Sequence, residues 1–117
     1  MGTVTARVKL PGTTKSKYKN QRTLIDGVWW DSKKEYQRWR TLWRLQSAGL
    51  IRNLKRQTRF PIKINGVLVC TYVADFTYVT KSPSRFVVED VKGFATPVYK
   101  LKRLLMRAVW NITIREV

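Results

Sequence analysis

The sequence predicts a single α/β domain: a short hairpin, a helix, three or four strands, a second helix and a closing strand. Three observations predict it. The chain has 117 residues and is 44% hydrophobic, enough for one core and short for two. Two stretches space their apolar residues as amphipathic helices do, and each follows a helix-start signal. Between them lies a β-branched and aromatic run opened by Asn65-Gly66, a strong hairpin dipeptide.

The elements follow in order. Residues 1–22 are polar, basic and turn-rich, with Pro11-Gly12 and Thr13-Thr14-Lys15-Ser16. They read as a flexible basic arm, with the domain proper over 23–117. Asp26-Gly27 between Thr23-Leu24-Ile25 and Val28-Trp29-Trp30 predicts a tight hairpin. Ser32-Lys33-Lys34-Glu35 has capping-box spacing and opens a helix over about 32–48, stopped by Gly49. Its expected inner stripe is Tyr36, Trp39, Leu42 and Trp43, with Arg40 and Arg44 opposite. Residues 51–64 are mixed in character. The run from Val67 to Val79 is strand-forming, and Phe86 to Lys92 is apolar on both faces, as a central strand is. Pro97 opens the second helix, whose expected stripe is Val98, Leu101, Leu105, Ala108 and Val109. Ile112-Thr113-Ile114 is expected to close the sheet.

Composition narrows the chemistry. Lys and Arg total 24 against 7 Asp and Glu, a formal charge of +17, and histidine is absent. Mechanisms that need a histidine base or ligand are therefore excluded. One cysteine, Cys70, supports neither an internal disulfide nor a Cys-rich metal site. The longest apolar run, Val67 to Ala74, falls short of the roughly 18–20 residues of a membrane span. No signal-peptide pattern opens the chain, so the expectation is a cytoplasmic protein with a polyanionic partner, nucleic acid first.

In so basic a chain the acids carry the information. Asp26 suits a turn, Asp31 a helix start, and Glu116 is terminal. Glu35, Asp75, Glu89 and Asp90 remain. Strand alternation sets Asp90 and Lys92 on one face and turns Glu89 to the other. A carboxylate inside a sheet needs a cation. Lys92, with Arg85, offers a purely structural answer for Asp75 and Asp90. If these two face each other on adjacent strands, a hard, oxygen-ligated ion such as Mg²⁺ is another. Glu35 has a similarly plain alternative, in which it completes the capping box on the Ser32 backbone. Glu89 reads most simply as a satisfied structural carboxylate.

The order Glu35, Asp75, Asp90-Val91-Lys92 resembles the PD-(D/E)XK nuclease superfamily. The chain also resembles a group of small phage endonuclease-like proteins through Lys17-Tyr18-Lys19-Asn20, Asp31-Ser32-Lys33-Lys34-Glu35, Tyr72-Val73-Ala74-Asp75-Phe76 and Val88-Glu89-Asp90-Val91-Lys92-Gly93. Ala74 stands where the superfamily pattern has proline, a position that binds no metal. The resemblance implies a restriction-endonuclease-like αβββαβ core, with a mixed sheet flanked by helices. It implies that Glu35, Asp75, Asp90 and the Val91 carbonyl bind Mg²⁺, with Mn²⁺ able to substitute, and that Lys92 acts on the attacking water. The expected activity is cleavage of DNA, selective for branched forms in the manner of a Holliday junction resolvase, by a homodimer in a phage-infected or lysogenic host. Lys17, Lys19, Arg22, Lys33, Lys34, Lys100 and Arg103 would hold the DNA backbone. The alternatives are nicking, flap or exonuclease action at the same site, or a non-catalytic basic nucleic-acid-binding protein.

Overall fold

The structure, a computed structural model, describes residues 22–92 and 95–117. The basic arm, with Lys17 and Lys19, lies outside the described residues apart from Arg22. The chain starts with strands β1 (Thr23–Ile25) and β2 (Val28–Trp30), an antiparallel pair. Asp26 and Gly27 between them both take left-handed φ, +52° and +77°, as a two-residue hairpin turn requires.

Helix α1 (Lys33–Ser47) is capped by Ser32, whose Oγ accepts from the Glu35 N–H at 3.1 Å. It ends where Gly49, φ +79°, and Leu50 return N–H groups to the Gln46 and Leu45 carbonyls. Leu42 is fully buried, whereas Trp43, expected inside, is 53% exposed. The helix is rolled so that Glu35 and Leu42 face inward, and Trp43 shares the outer side with Arg40 and Arg44.

The mixed residues 51–64 form one long strand, β3 (Ile51–Ile64), joined through Asn65-Gly66 to β4 (Val67–Thr80). Strand β5 (Phe86–Asp90) pairs antiparallel with β4, from Val79↔Phe86 to Phe76↔Glu89. Helix α2 (Pro97–Trp110) is capped by Thr96 Oγ1, which accepts from the Tyr99 N–H. The last strand, β6 (Arg115–Glu116), runs parallel to β5, completing a mixed sheet of order β3-β4-β5-β6. The closing strand therefore lies beyond the expected Ile112–Ile114. Left-handed Asn111, φ +57°, ends α2, and Ile112 and Ile114 then go into packing rather than into the ladder.

Two apolar clusters cover the two faces of the sheet. One joins Phe60, Ile62, Tyr72, Ala74 and Val88 to Tyr99 and Met106 of α2. The other joins Phe76 and Tyr78 to Trp30 and Leu42, with Val87 and Val91 against it. Strand β5 alternates between them, which sets the helices on opposite faces. In β4, Tyr72 and Ala74 belong to one cluster but Phe76 and Tyr78 to the other, so strand parity slips near Asp75. The ladder has no Gln57↔Asp75 pair between Arg56↔Phe76 and Thr58↔Ala74, and Gln57 has φ +53°. This irregularity works as a β-bulge does, re-aiming the side chains around it.

Helix α2 also departs from the expected stripe. Tyr99 and Met106 face inward, while Val98, Leu101, Leu104 and Val109 are exposed. Polar anchors hold this roll: Tyr99 Oη donates to Glu116, Lys102 Nζ to the Thr71 carbonyl and Trp110 Nε1 to the Pro61 carbonyl. Among the described residues no helix is long and apolar enough to cross a membrane.

Candidate metal centre

The site forms where β4 and β5 stop pairing. The last ladder pair is Phe76↔Glu89, so the next position would oppose Asp75 and Asp90. Instead the strands part. The Val91 N–H donates to Asp75 Oδ2 at 2.8 Å, which holds the Asp75 carboxyl close to Asp90. Asp90 is 3% exposed. Its Oδ2 accepts from Tyr72 Oη at 2.6 Å and lies 3.3 Å from Lys92 Nζ. Lys92 also sits over the Tyr99 ring, 4.1 Å from its centroid. The Asp90-to-Lys92 backbone is held by Val117, which donates to the Asp90 carbonyl and accepts from the Lys92 N–H.

Glu35 enters from the first turn of α1 and is 2% exposed. Its reach differs from the expected capping box. Oε1 accepts from the Asp31 N–H at 3.2 Å, not from Ser32, and Oε2 accepts from Gln57 Nε2 at 3.1 Å. Arg56 lies 3.9 Å from the same Oε2. Carboxylate oxygens of Asp31, Glu35 and Asp75 all fall within 4.8 Å of one another. Asp31 is thus a member of the cluster that sequence reasoning assigned to helix capping alone. Its signal was present in the spacing Asp31-Ser32-Lys33-Lys34-Glu35, which sets two acids on either side of one helix start. Gln57 and Tyr72 carried no such signal, because strand register alone brings them to the acids.

Crowded, buried acids resist ionisation. Burial pushes the Asp75 carboxyl up to about 9, with its hydrogen bond to Asp90 and the Asp90 charge adding to the shift. Glu35 is also raised, first by burial and then by the nearby Asp31 charge. Tyr72 is raised by burial and by its bond to Asp90, so it stays a donor. The shifts fall on Asp75 and Glu35, the inner acids of the cluster, while Asp31 is exposed at its edge.

Glu89 lies on the other face, as alternation predicts. It is fully buried and held by Arg38 through two bonds, Nε to Oε1 at 2.9 Å and Nη2 to Oε2 at 2.7 Å, with Tyr78 Oη as a further donor. It is a satisfied structural carboxylate. Arg85 is not at the acids; its backbone closes the loop onto Thr80.

The basic residues divide. Lys33, Lys34 and Lys100 are exposed, and Lys34 Nζ donates to the Lys92 carbonyl at 3.2 Å, beside the cluster. Arg22 lies over the Trp29 ring and 3.9 Å from Asp31. Arg103 donates to Glu116 at 2.6 Å, so Glu116 is an ion-pair partner rather than an idle terminal acid. Tyr99 and then Arg103 hold the Glu116 carboxyl below its ordinary value.

No curated protein and no solved structure matches the chain. The family described as "Protein of unknown function (DUF1064)" matches residues 15–115, a span that takes in every acid of the cluster. That span is most of the chain, and the chain belongs to the DUF1064 family.

Proposed function

We propose that this protein is a metal-dependent DNA endonuclease that hydrolyses phosphodiester bonds, with branched DNA as its preferred form. One observation carries the reading: carboxylate oxygens of Asp31, Glu35 and Asp75 lie within 4.8 Å of one another where two strands part, next to Asp90 and its Lys92. The donor set fits Mg²⁺, a hard ion that takes carboxylate oxygen and keeps waters for substrate. The raised Asp75 supports the fit, because burial and the Asp90 charge disfavour its carboxylate and a divalent cation would favour it. Asp75, Asp90 and Glu35 would hold the ion, with Asp31 beside them. When bound, it supplies Lewis acidity to the phosphate and lowers the pKa of a water.

The chain's own residues do the remaining work. Tyr72 and Lys92 fix the Asp90 carboxylate, while Gln57 and the Asp31 N–H orient Glu35. Such supporting bonds tune a metal ligand's basicity and direction. Lys92 suits the role of orienting the attacking water and stabilising charge on the phosphate. The exposed lysines contact backbone without reading sequence. A homodimer belongs to this reading, since one active site per chain must be paired to cut two strands symmetrically. The apolar outer side of α2 offers surface for it.

A non-catalytic nucleic-acid-binding protein is the second reading. It is favoured by the way Asp90, Lys92 and Tyr72 satisfy one another without any ion. The deciding experiment is a Mg²⁺ or Mn²⁺ cleavage assay on junction, flap and linear duplex DNA, beside Asp90→Asn. Cleavage of junctions that is lost in the variant is expected. No cleavage of any form, or undiminished cleavage by the variant, ends the nuclease reading. Equal cutting of plain duplex ends the branched-DNA preference alone.

A further inference from the structure

The five tryptophans are not all spent on the core: Trp29, Trp43 and Trp110 are exposed. Rings step outward from the sheet: Phe76 lies against Trp39 with centroids 6.0 Å apart and planes 21° apart, and Trp39 meets Trp43 at 6.0 Å and 30°. Phe76 is fully buried, Trp39 is half-buried and Trp43 is exposed. The ladder thus ends in a solvated indole. Beside it opens a cleft of about 330 Å³ whose walls are Trp30, Tyr36, Trp39 and Trp43, with Arg40 and Arg44 one helical turn apart on its rim. Asp26 is the acid among its lining residues.

A closed hydrophobic core has no use for two arginines and an exposed indole at its mouth. A planar, partly polar ring joined to an anion uses all of them. The ring extends the stack from its exposed end at Trp43, and the anion meets Arg40 and Arg44. An unpaired nucleotide has this chemistry. The volume, at the lower end for ligand clefts, suits one base rather than a run of them. A base inside a duplex cannot enter, because its faces are already stacked.

We infer that the cleft between the β1–β2 hairpin and α1 binds a single unpaired nucleobase, with its phosphate on Arg40 and Arg44. The cleft adjoins the carboxylate cluster. Trp30 precedes Asp31 in sequence, and Arg56, 3.9 Å from Glu35, stacks on the Trp30 ring with 3.8 Å from guanidinium carbon to centroid. The inference rests on the nuclease reading for its consequence, that cutting is directed to DNA with an unpaired base near the scissile phosphate. The binding itself needs no catalysis.

The test is metal-free fluorescence anisotropy of the full chain with three labelled duplexes. One is fully paired, one carries a single-base bulge, and one carries an abasic residue at the bulge. The bulged duplex is expected to bind at least about 5-fold tighter than either of the others, the lower end for one stacked base. Trp43→Ala, at a position whose ring is half in solvent, should remove that preference and leave paired-duplex affinity within about twofold. Trp43→Phe should retain it. Equal affinity for bulged and abasic duplexes overturns the inference, and so does a Trp43→Ala loss that is the same for all three. A bulge preference without any Mg²⁺-dependent cleavage breaks the nuclease reading alone. Cleavage without a bulge preference breaks this inference alone.

Discussion

Glu89 and Asp90 are neighbours on one strand, equally buried, and they live in opposite circumstances. Glu89 has a bidentate arginine and a tyrosine, so its charge is matched by a fixed cation. Asp90 has a tyrosine and a lysine too, but beside it stands Asp75, whose carboxylate clusters with those of Glu35 and Asp31. The difference teaches how burial of charge divides between structure and chemistry. A carboxylate in a complete network is held in one state. A carboxylate in a group with surplus acids is left with an open choice between proton and cation, and functional sites are built from such choices. The open choice falls where the β4–β5 ladder ends, because there Asp75 and Asp90 come opposite each other with no ladder bond between their strands.

The comparison breaks most visibly by substitution. Asp90→Asn should lower Mg²⁺-dependent cleavage about 10³-fold or more, with a melting temperature close to that of wild type, since a lost metal ligand removes several kcal/mol of transition-state stabilisation. Glu89→Ala should do the reverse in kind. Leaving the half-buried Arg38 and the buried Tyr78 hydroxyl without their shared acceptor, and emptying the Glu89 site, costs about 3 kcal/mol, read as a fall of about 10 °C in Tm. If Glu89→Ala melts like wild type, or Asp90→Asn unfolds the protein, the contrast between the two acids is gone.

Asp75 sharpens it through pH. Its folded pKa is raised, so without metal the native state binds a proton that the unfolded state releases near pH 4. That contribution to stability is complete below the unfolded pKa and is lost as pH rises toward about 9. Metal-free protein should therefore melt lower at pH 8 than at pH 5. Asp75→Asn, which keeps a neutral side chain, should flatten this slope and raise Tm at pH 8 by about 5 °C, the effect of roughly 1 kcal/mol in a domain of this size. Mg²⁺ should stabilise wild type at pH 8 and leave the variant unmoved. A parallel pH slope in both proteins would show that Asp75 does not carry the surplus proton.

The smallest effect is expected at Tyr72. Tyr72→Phe removes one bond to Asp90 and should cost about 1 kcal/mol of stability. Its cleavage should fall about 10- to 100-fold, as for other residues that orient metal ligands. A loss of stability with no loss of cleavage would make Tyr72 part of the core only.

Much of this was legible before any coordinates. Asp26-Gly27, Ser32 with Glu35, Asn65-Gly66 and Pro97 each act within four residues, and each became the turn or helix start that local chemistry demands. Asp90 and Lys92 were readable as a pair because strand alternation is also local. The roll of α2 was not legible. Its apolar stripe pointed one way, and Tyr99, Lys102 and Trp110 turned the helix through bonds to Glu116, Thr71 and Pro61. The same holds for Trp43, which hydrophobicity assigned to the interior and which caps an exposed ring ladder instead. Asp31 was legible as the acid at a helix entry, which is local, whereas its approach to Asp75 is not local.

The sequence by itself determined the kinds and order of the elements, the net charge of +17 and the short roster of acids available for chemistry. Tertiary structure decided which acids meet. It did so through one slip of strand parity at Gln57 and Asp75 and one register that brings Asp75 up to Asp90. Both arise from pairing between residues far apart in the chain. Local periodicity says which face a side chain takes along its own strand, but only the neighbouring strand decides where that face ends.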